Sequence, residues 1–116
     1  MRMVSFAERV YDVTKKIPRG NVSTYGELAR ALGTQAYRAV GNALHVNPYA
    51  PRVPCHRVVC SDGRLGGFAD GVRKKQRLLE NEGVAVVCGR VDLRLYSFTF
   101  KKERGNSPRS YKMLII

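Results

Sequence analysis

The stretch Val53-Pro54-Cys55-His56-Arg57-Val58-Val59-Cys60 sets a thiol beside an imidazole and a guanidinium. The thiolate is the reactive form of cysteine, and a free thiol is mostly protonated at neutral pH. A nearby base and a nearby positive charge are therefore what a nucleophilic cysteine needs. Pro54 fixes its own φ and pushes Val53 toward extended backbone, while Val58 and Val59 favour a short buried strand. The expectation is a strand that Cys55 enters at a stiff, defined position. Adjacent strand residues point to opposite faces, so Cys55 and His56 require a bridging water or a kink at the proline to communicate.

Four chemistries fit these residue types. Cys55 can be a buried structural cysteine, the commonest fate of this side chain. Cys55, His56 and Cys60 can offer three metal ligands, although the spacing matches no zinc pattern and a fourth ligand is missing. A Cys-His hydrolase is a third reading, but its histidine usually lies far away in sequence and no orienting carboxylate stands beside this pair. The fourth is a thiolate that attacks a molecule bound on the protein surface.

That surface is basic. The 116 residues carry 21 Lys+Arg against 9 Asp+Glu, a formal net of +12, which favours a polyanion such as nucleic acid and salt-sensitive binding. The bland alternative is a basic face that serves solubility. The last sixteen residues hold Lys101, Lys102, Arg104, Arg109 and Lys112 against Glu103, and the rest of the chain is basic as well. Three cysteines, Cys55, Cys60 and Cys88, without a CxxC pair argue against a disulfide framework and fit a reducing compartment. No apolar run has membrane-spanning length, and the N-terminus lacks a signal peptide's apolar core. The expected address is the cytoplasm or nucleoid, with no membrane partner.

The elements that must position the cysteine follow from periodicity and caps. Ser5 with Glu8 is a capping box, and Phe6, Val10, Val13 and Ile17 follow at helical spacing until Pro18-Arg19-Gly20. Thr24 with Glu27 is a second capping box, and Gly33 ends that helix. A third helix is expected over 35–46, closed by Asn47-Pro48, and the pair joined by the Gly-Thr turn reads as helix-turn-helix. In the third helix Ala39, Gly41 and Ala43 form a small face while Val40 and Leu44 pack inward. Gly41 in mid-helix costs about 1 kcal/mol against alanine, so close approach to DNA or tight helix packing must require it. Arg38 protrudes near the helix start, where DNA readers place contact residues, or is plain surface.

A proline-rich connection, 47–54, leads to the cysteine. Ser61-Asp62-Gly63-Arg64 is a turn, and 66–71 a glycine-rich loop able to line a small pocket. Asp70 is a candidate cap for a helix over Val72–Asn81 whose exposed side is expected to carry Arg73, Lys74, Lys75 and Arg77. A hairpin is expected over 84–91, and Val91-Asp92-Leu93 closes the compact part. The division expected is a domain over 1–96 and a basic tail over 97–116. If the thiolate acts on a base within a duplex, that nucleotide must be flipped out of the stack, and Arg38 is long enough to fill the gap.

The block Pro54-Cys55-His56-Arg57-Val58-Val59 resembles the active-site motif of O6-alkylguanine-DNA alkyltransferases, also called methylated-DNA–protein-cysteine methyltransferases. The likeness extends to Ser23-Thr24-Tyr25-Gly26-Glu27-Leu28-Ala29, Arg38-Ala39-Val40-Gly41-Asn42-Ala43-Leu44, Asn47-Pro48 and Leu78-Leu79-Glu80-Asn81-Glu82-Gly83, in order at the family's spacings. The resemblance implies a suicidal, single-turnover transfer of the alkyl group from guanine O6 to Cys55, with no cofactor and no metal. His56 would withdraw the thiol proton through a water, Glu82 would orient the imidazole, and Asn47 would brace the site. Tyr25 would act as general acid toward the flipped guanine. Arg38 would stand in the vacated stack and the helix bearing Ala39, Gly41 and Ala43 would lie in the minor groove. Val58 with Gly66, Gly67, Phe68 and Ala69 would shape the alkyl pocket.

The implied fold is mainly α with a small β element, a winged-helix-like helix-turn-helix domain acting as a monomer on double-stranded DNA containing O6-alkylguanine. The chain is expected to lack the N-terminal domain of the family's larger members. Phe68 and Ala69 stand where many members place tyrosine and serine, removing two hydroxyls from the pocket loop. One rival is an alkyltransferase-like protein, which binds the lesion without repairing it and flags it for other pathways; such proteins carry another residue, often tryptophan, where this chain has Cys55. Another is a plain helix-turn-helix regulator with a buried cysteine.

Overall fold

The computed structural model describes residues 5–68 and 71–100. Helix α1, Phe6–Thr14, starts on the expected capping box: Ser5 Oγ accepts from Glu8 N–H and the Glu8 carboxylate accepts from Ser5 N–H. It ends at Thr14, short of Ile17, and its buried face is Val10, Tyr11 and Thr14, with Val13 at the margin. Ile17 is nonetheless fully buried beyond the helix end.

Strand β1, Ser23–Thr24, runs directly into α2, Tyr25–Ala31, whose first turn is capped by Thr24 Oγ1 accepting from Glu27 N–H. The Glu27 carboxylate turns to Arg30 instead of closing the second capping box. Gly33, at φ +73°, makes the left-handed turn that ends α2. Helix α3, Tyr37–His45, then packs on α1 and α2 through Val40, Ala43 and Leu44. Tyr11 Oη donates to Ala43 O at 2.8 Å and ties α3 to α1. The pair α2 and α3 is the expected helix-turn-helix.

The cysteine block departs from expectation. Cys55–Arg57 form a single 3₁₀ turn, and only Val58–Val59 are strand β2, paired in parallel with β1 in the register Ser23↔Val58 and Thr24↔Val59. Pro54, with no N–H to give, precedes the turn, and Arg57 N–H closes it on Pro54 O at 2.9 Å. Helix α4, Val72–Asn81, has the expected bounds, but its cap is Gly71 at φ +97° with no side-chain cap; Asp70, the expected cap, lies outside the described residues. The hairpin is β3, Val86–Val87, and β4, Arg90–Val91, joined by Cys88 and Gly89, both at positive φ as a two-residue turn requires.

The compact part does not close at Leu93. A short helix α5, Leu93–Tyr96, follows, then Ser97 bridges in parallel to Val22, and Phe98 and Phe100 pack on the core. Residues 97–100, expected to open the tail, thus belong to the domain. Two apolar clusters hold the fold: Val10, Ile17, Leu28, Val40, Leu44 and Val58 under α1 to α3, and Val22, Val59, Leu65, Leu79, Val84 and Val91 under α4 and the hairpin. The two-stranded sheet lies between them and carries the 3₁₀ turn at their junction. No helix among the described residues is long and apolar enough to cross a membrane.

Candidate active site

Cys55 is half-buried at the first position of the 3₁₀ turn. Asn47 holds the backbone before it: its Nδ2 donates to Val53 O at 2.8 Å, and its Oδ1 accepts from Tyr49 N–H at 2.9 Å. Val53 O also accepts from Cys55 N–H at 2.8 Å, so one carbonyl is shared by the Asn47 side chain and the Cys55 backbone. Asn47 thus bridges the start and the end of the connection that leads to Cys55.

His56 is 3% exposed, and its Nε2 lies 2.9 Å from Glu82 Oε2. Arg57 closes on the same carboxylate with two bonds, Nε to Oε1 at 2.9 Å and Nη2 to Oε2 at 2.8 Å, while its Nη1 donates to Ile17 O. Burial alone would raise the Glu82 pKa, but hydrogen bonds and charges from Arg57 and His56 outweigh it and hold the carboxyl below its ordinary range. For His56 burial is the largest influence and lowers the pKa; Glu82 opposes this, and the charges of Arg57 and Lys75 add to the lowering. The net direction is down, because burial and the two positive charges outweigh the Glu82 carboxylate. An ionised carboxylate only accepts, so Nε2 carries the imidazole hydrogen and Nδ1 presents the lone pair. Among the described residues no hydrogen bond joins Cys55 Sγ to His56.

Tyr25 is the first residue of α2, placed by the Thr24 cap and the β1–β2 pairing. Burial, then the nearby Cys60 and Cys55 thiols, push its pKa to about 12. It stays protonated and can donate. Cys55, Tyr25, Gly41, Asn42, His45 and Phe68 line a cavity of about 410 Å³, with Gly67 and Leu44 completing it. A thiol and a phenol thus face one space large enough for a small ring system.

Lys75, expected on the exposed side of α4, is fully buried. Its ammonium donates to Leu65 O and to Gly67 O and stands 5.9 Å from the Tyr25 ring centroid and 6.0 Å from that of Phe68. Desolvation lowers its pKa to about 8 against the opposing influence of Cys60 and Cys55. Helical periodicity carried a signal for this: Lys75 falls four residues before Leu79, on the inward stripe, but its charge argued for solvent. Lys75 holds the glycine loop closed against Tyr25.

Other expected site residues divide. Arg38 is exposed on α3, and Gly41, Asn42 and His45 share its outer face. Nothing lies within 4 Å of a Cβ added at Gly41, so packing within the chain does not require its small size. Ala39 is at the margin. Ala43 is not on the outer face: it is 7% exposed in the core cluster, because i and i+2 cannot share a helix face. Val58, in β2, is fully buried in the cluster under α1 to α3 and does not line the cavity, a correction to its expected pocket role. Gly66, at φ +75°, sits against Cys60 Sγ and Tyr25 Oη, where a Cβ would meet the sulfur at 3.2 Å; it supports the tyrosine and does not line the cavity. Gly67 and Phe68 do line it, and Ala69 lies outside the described residues. Cys55, His56 and Cys60 do not converge as a metal-holding group among the described residues.

A family model described as 6-O-methylguanine DNA methyltransferase, DNA binding domain, matches residues 5–84. The methylated-DNA–protein-cysteine methyltransferase of Thermococcus kodakarensis is 52% identical over 80 residues, 68% of this chain and 45% of that protein. Mycobacterium tuberculosis OGT in complex with DNA superposes with a TM-score of 0.66 at 44% identity, covering 70% of this chain and 51% of that one. S. pombe Atl1 in complex with damaged DNA containing O6-carboxymethylguanine superposes with a TM-score of 0.71 at 38% identity, covering 85% of this chain and 99% of that one. The chain spans about half the length of the curated methyltransferase it matches.

Proposed function

The chain belongs to the O6-methylguanine-DNA methyltransferase family, and from that premise we propose that it repairs O6-alkylguanine in double-stranded DNA by transferring the alkyl group irreversibly to Cys55. The observation that carries this reading is the shared cavity: Cys55 and a protonated Tyr25 face the same space, while His56 behind it is neutral and locked to an ionised Glu82. A water passes the Cys55 proton to His56 Nδ1, leaving a thiolate. The sulfur attacks the alkyl carbon, a C–S bond forms, and the C–O6 bond breaks with its electrons going to the guanine. Tyr25 donates toward the base as that charge develops. The base takes the Tyr25 proton, and the thiol proton held on His56 returns through water to the phenolate, so guanine is restored with Tyr25 protonated and His56 neutral.

Access requires a flipped nucleotide. Arg38, exposed at the start of α3, fills the stack, and Gly41, open to solvent, lets the helix approach the minor-groove floor. The chain's +12 net charge supports a duplex partner. The deciding experiment is intact mass and peptide mapping after incubation with duplex containing one O6-methylguanine. One methyl on Cys55 with guanine restored is expected; tight binding without a mass change overturns the transfer.

A second reading has one observation in its favour. Atl1, seated on damaged DNA, is matched over nearly its whole length. Lesion-flagging without chemistry predicts that same tight, unreactive complex. Cys55 favours transfer.

A further inference from the structure

Two exposed tyrosines stand outside the chemistry described above, and they differ in company. Tyr49, 51% exposed, meets Tyr11 edge-to-face at 5.7 Å. Tyr37, 53% exposed, meets no aromatic ring among the described residues. Its position is nevertheless fixed. Gly33 turns the chain after α2, and Thr34 Oγ1 accepts from Ala36 N–H at 3.1 Å. Tyr37 N–H then donates to Gln35 O at 2.8 Å across Ala36, at φ −80° and ψ 63°. Those angles make an inverse γ-turn, so the chain enters α3 by a tight bend at Tyr37. Tyr37 also begins the inward stripe that Val40 and Leu44 continue at i+3 and i+7. Val40 and Leu44 are buried, but Tyr37 overruns the core, and its Cε1 lies 3.9 Å from where a Cβ would stand on Gly26.

The ring faces a space of its own. Tyr37 lines a cleft of about 880 Å³ with Tyr25, Gly26, Arg30, Gln35 and Cys60. Tyr25 lines the Cys55 cavity as well, so the two hollows meet at one side chain. Arg30 is largely exposed and pairs with Glu27 at 3.4 Å, and Arg38 is exposed next to Tyr37 in the chain. An aromatic face with cations beside it is the composition that holds an unstacked nucleotide: the base stacks on the ring and the cations follow the backbone. Burial accounts for less than half of Tyr37, and the remainder is presented to the cleft.

We infer that this cleft is a second nucleotide subsite, in which the base next to the flipped O6-alkylguanine on the same strand stacks on Tyr37. The subsite rests on the duplex reading given above. A strand whose lesion base enters the Cys55 cavity on one side of Tyr25 carries its next nucleotide past the other side. Flipping takes away that nucleotide's stacking partner, and Tyr37 returns a π face to it while Arg38 occupies the gap.

The test pairs substitutions at Tyr37 with removal of single bases from the DNA. Affinity for duplex carrying one O6-methylguanine is measured by fluorescence anisotropy in a Cys55→Ser parent, where no alkyl group moves, and in that parent with Tyr37→Phe, Tyr37→Leu or Tyr37→Ala. Thermal unfolding checks that each variant is folded. Tyr37→Phe is expected to bind as the parent does. Tyr37→Leu keeps apolar bulk without a π face, and it and Tyr37→Ala should bind about 5- to 150-fold more weakly, the range for loss of one base–aromatic stack. That loss should vanish on a duplex with an abasic site beside the lesion on the same strand, and persist with the abasic site opposite the lesion. An equal loss on every duplex, or parental binding by Tyr37→Leu, overturns the stacking. A loss that vanishes with the abasic site opposite the lesion overturns the same-strand subsite. A parent that binds lesion and unmodified duplex alike removes the flipped base, and the subsite with it. Methyl transfer from the same duplex to the chain with Cys55 intact, scored by mass, reports the repair reading separately.

Discussion

Glu82 Oε2 stands 2.9 Å from His56 Nε2, although 26 residues separate the two in the chain. The 3₁₀ turn presents the imidazole and the end of α4 presents the carboxylate. Arg57 binds that carboxylate through both of its oxygens, so orientation of His56 and stability of the junction depend on one side chain.

Glu82→Gln is expected to cost about 2–3 kcal/mol at pH 7, the scale for lost hydrogen bonds to charged groups in a largely buried site. The folded-state pKa of Glu82 is lowered, so its contribution is fully present above the ordinary carboxylate pKa and is lost as pH falls through the folded value. Urea unfolding of both proteins should show the gap closing in acid. A gap independent of pH would remove the ionised-carboxylate argument.

Cys55→Ser should abolish methyl transfer while retaining affinity for duplex carrying O6-methylguanine, because the hydroxyl keeps the shape of the cavity wall without the nucleophile. Residual transfer, measured by mass, would sink the assignment of the nucleophile.

Gly41→Ala separates folding from binding. An added Cβ meets nothing within 4 Å, so thermal stability should rise by about 0.5–1 kcal/mol through helix propensity. Duplex affinity should fall, because the same methyl group occupies the outer face of α3. A variant that gains stability and binds as before would leave Gly41 without a function.

Arg38→Ala should slow repair in duplex more than reaction with free O6-alkylguanine base, since only the duplex needs its gap filled. Stopped-flow or quench kinetics on both substrates decide it, and equal slowing counts against the gap-filling role.

Lys75→Met tests the buried ammonium. Its folded-state pKa, about 8, lies below the ordinary lysine value, so above pH 8 the unfolded chain holds a proton that the folded chain has released. Stability therefore rises with pH from about 8 toward 10. Above that range Tyr25, raised to about 12, pulls the other way, because the folded chain then holds the extra proton. Lys75→Met should flatten the rise between pH 8 and 10 in denaturant titrations. A rise of the same size in the variant would show that another group causes it.

Much of the frame was legible in the sequence because its signals are local. The Ser5–Glu8 capping box, the Gly33 stop, the helix Val72–Asn81 and the Cys88-Gly89 hairpin each depend on a few neighbouring residues and backbone rules. The motif blocks around Cys55, Tyr25 and Glu82 could be joined into one site from the sequence by resemblance alone, since no periodicity relates positions so far apart. Tertiary contacts decided the remainder. Pairing with β1 limited the expected strand to Val58–Val59 and left Cys55 on a 3₁₀ turn. Packing on α1 drew Ala43 inward, and the sheet buried Val58 out of reach of the cavity. Local rules place a lysine in water, yet Lys75 is buried because two loop carbonyls, Leu65 O and Gly67 O, converge on its ammonium from another part of the chain. Charge and period are properties of a sequence. Whether a buried charge finds partners is a property of the fold.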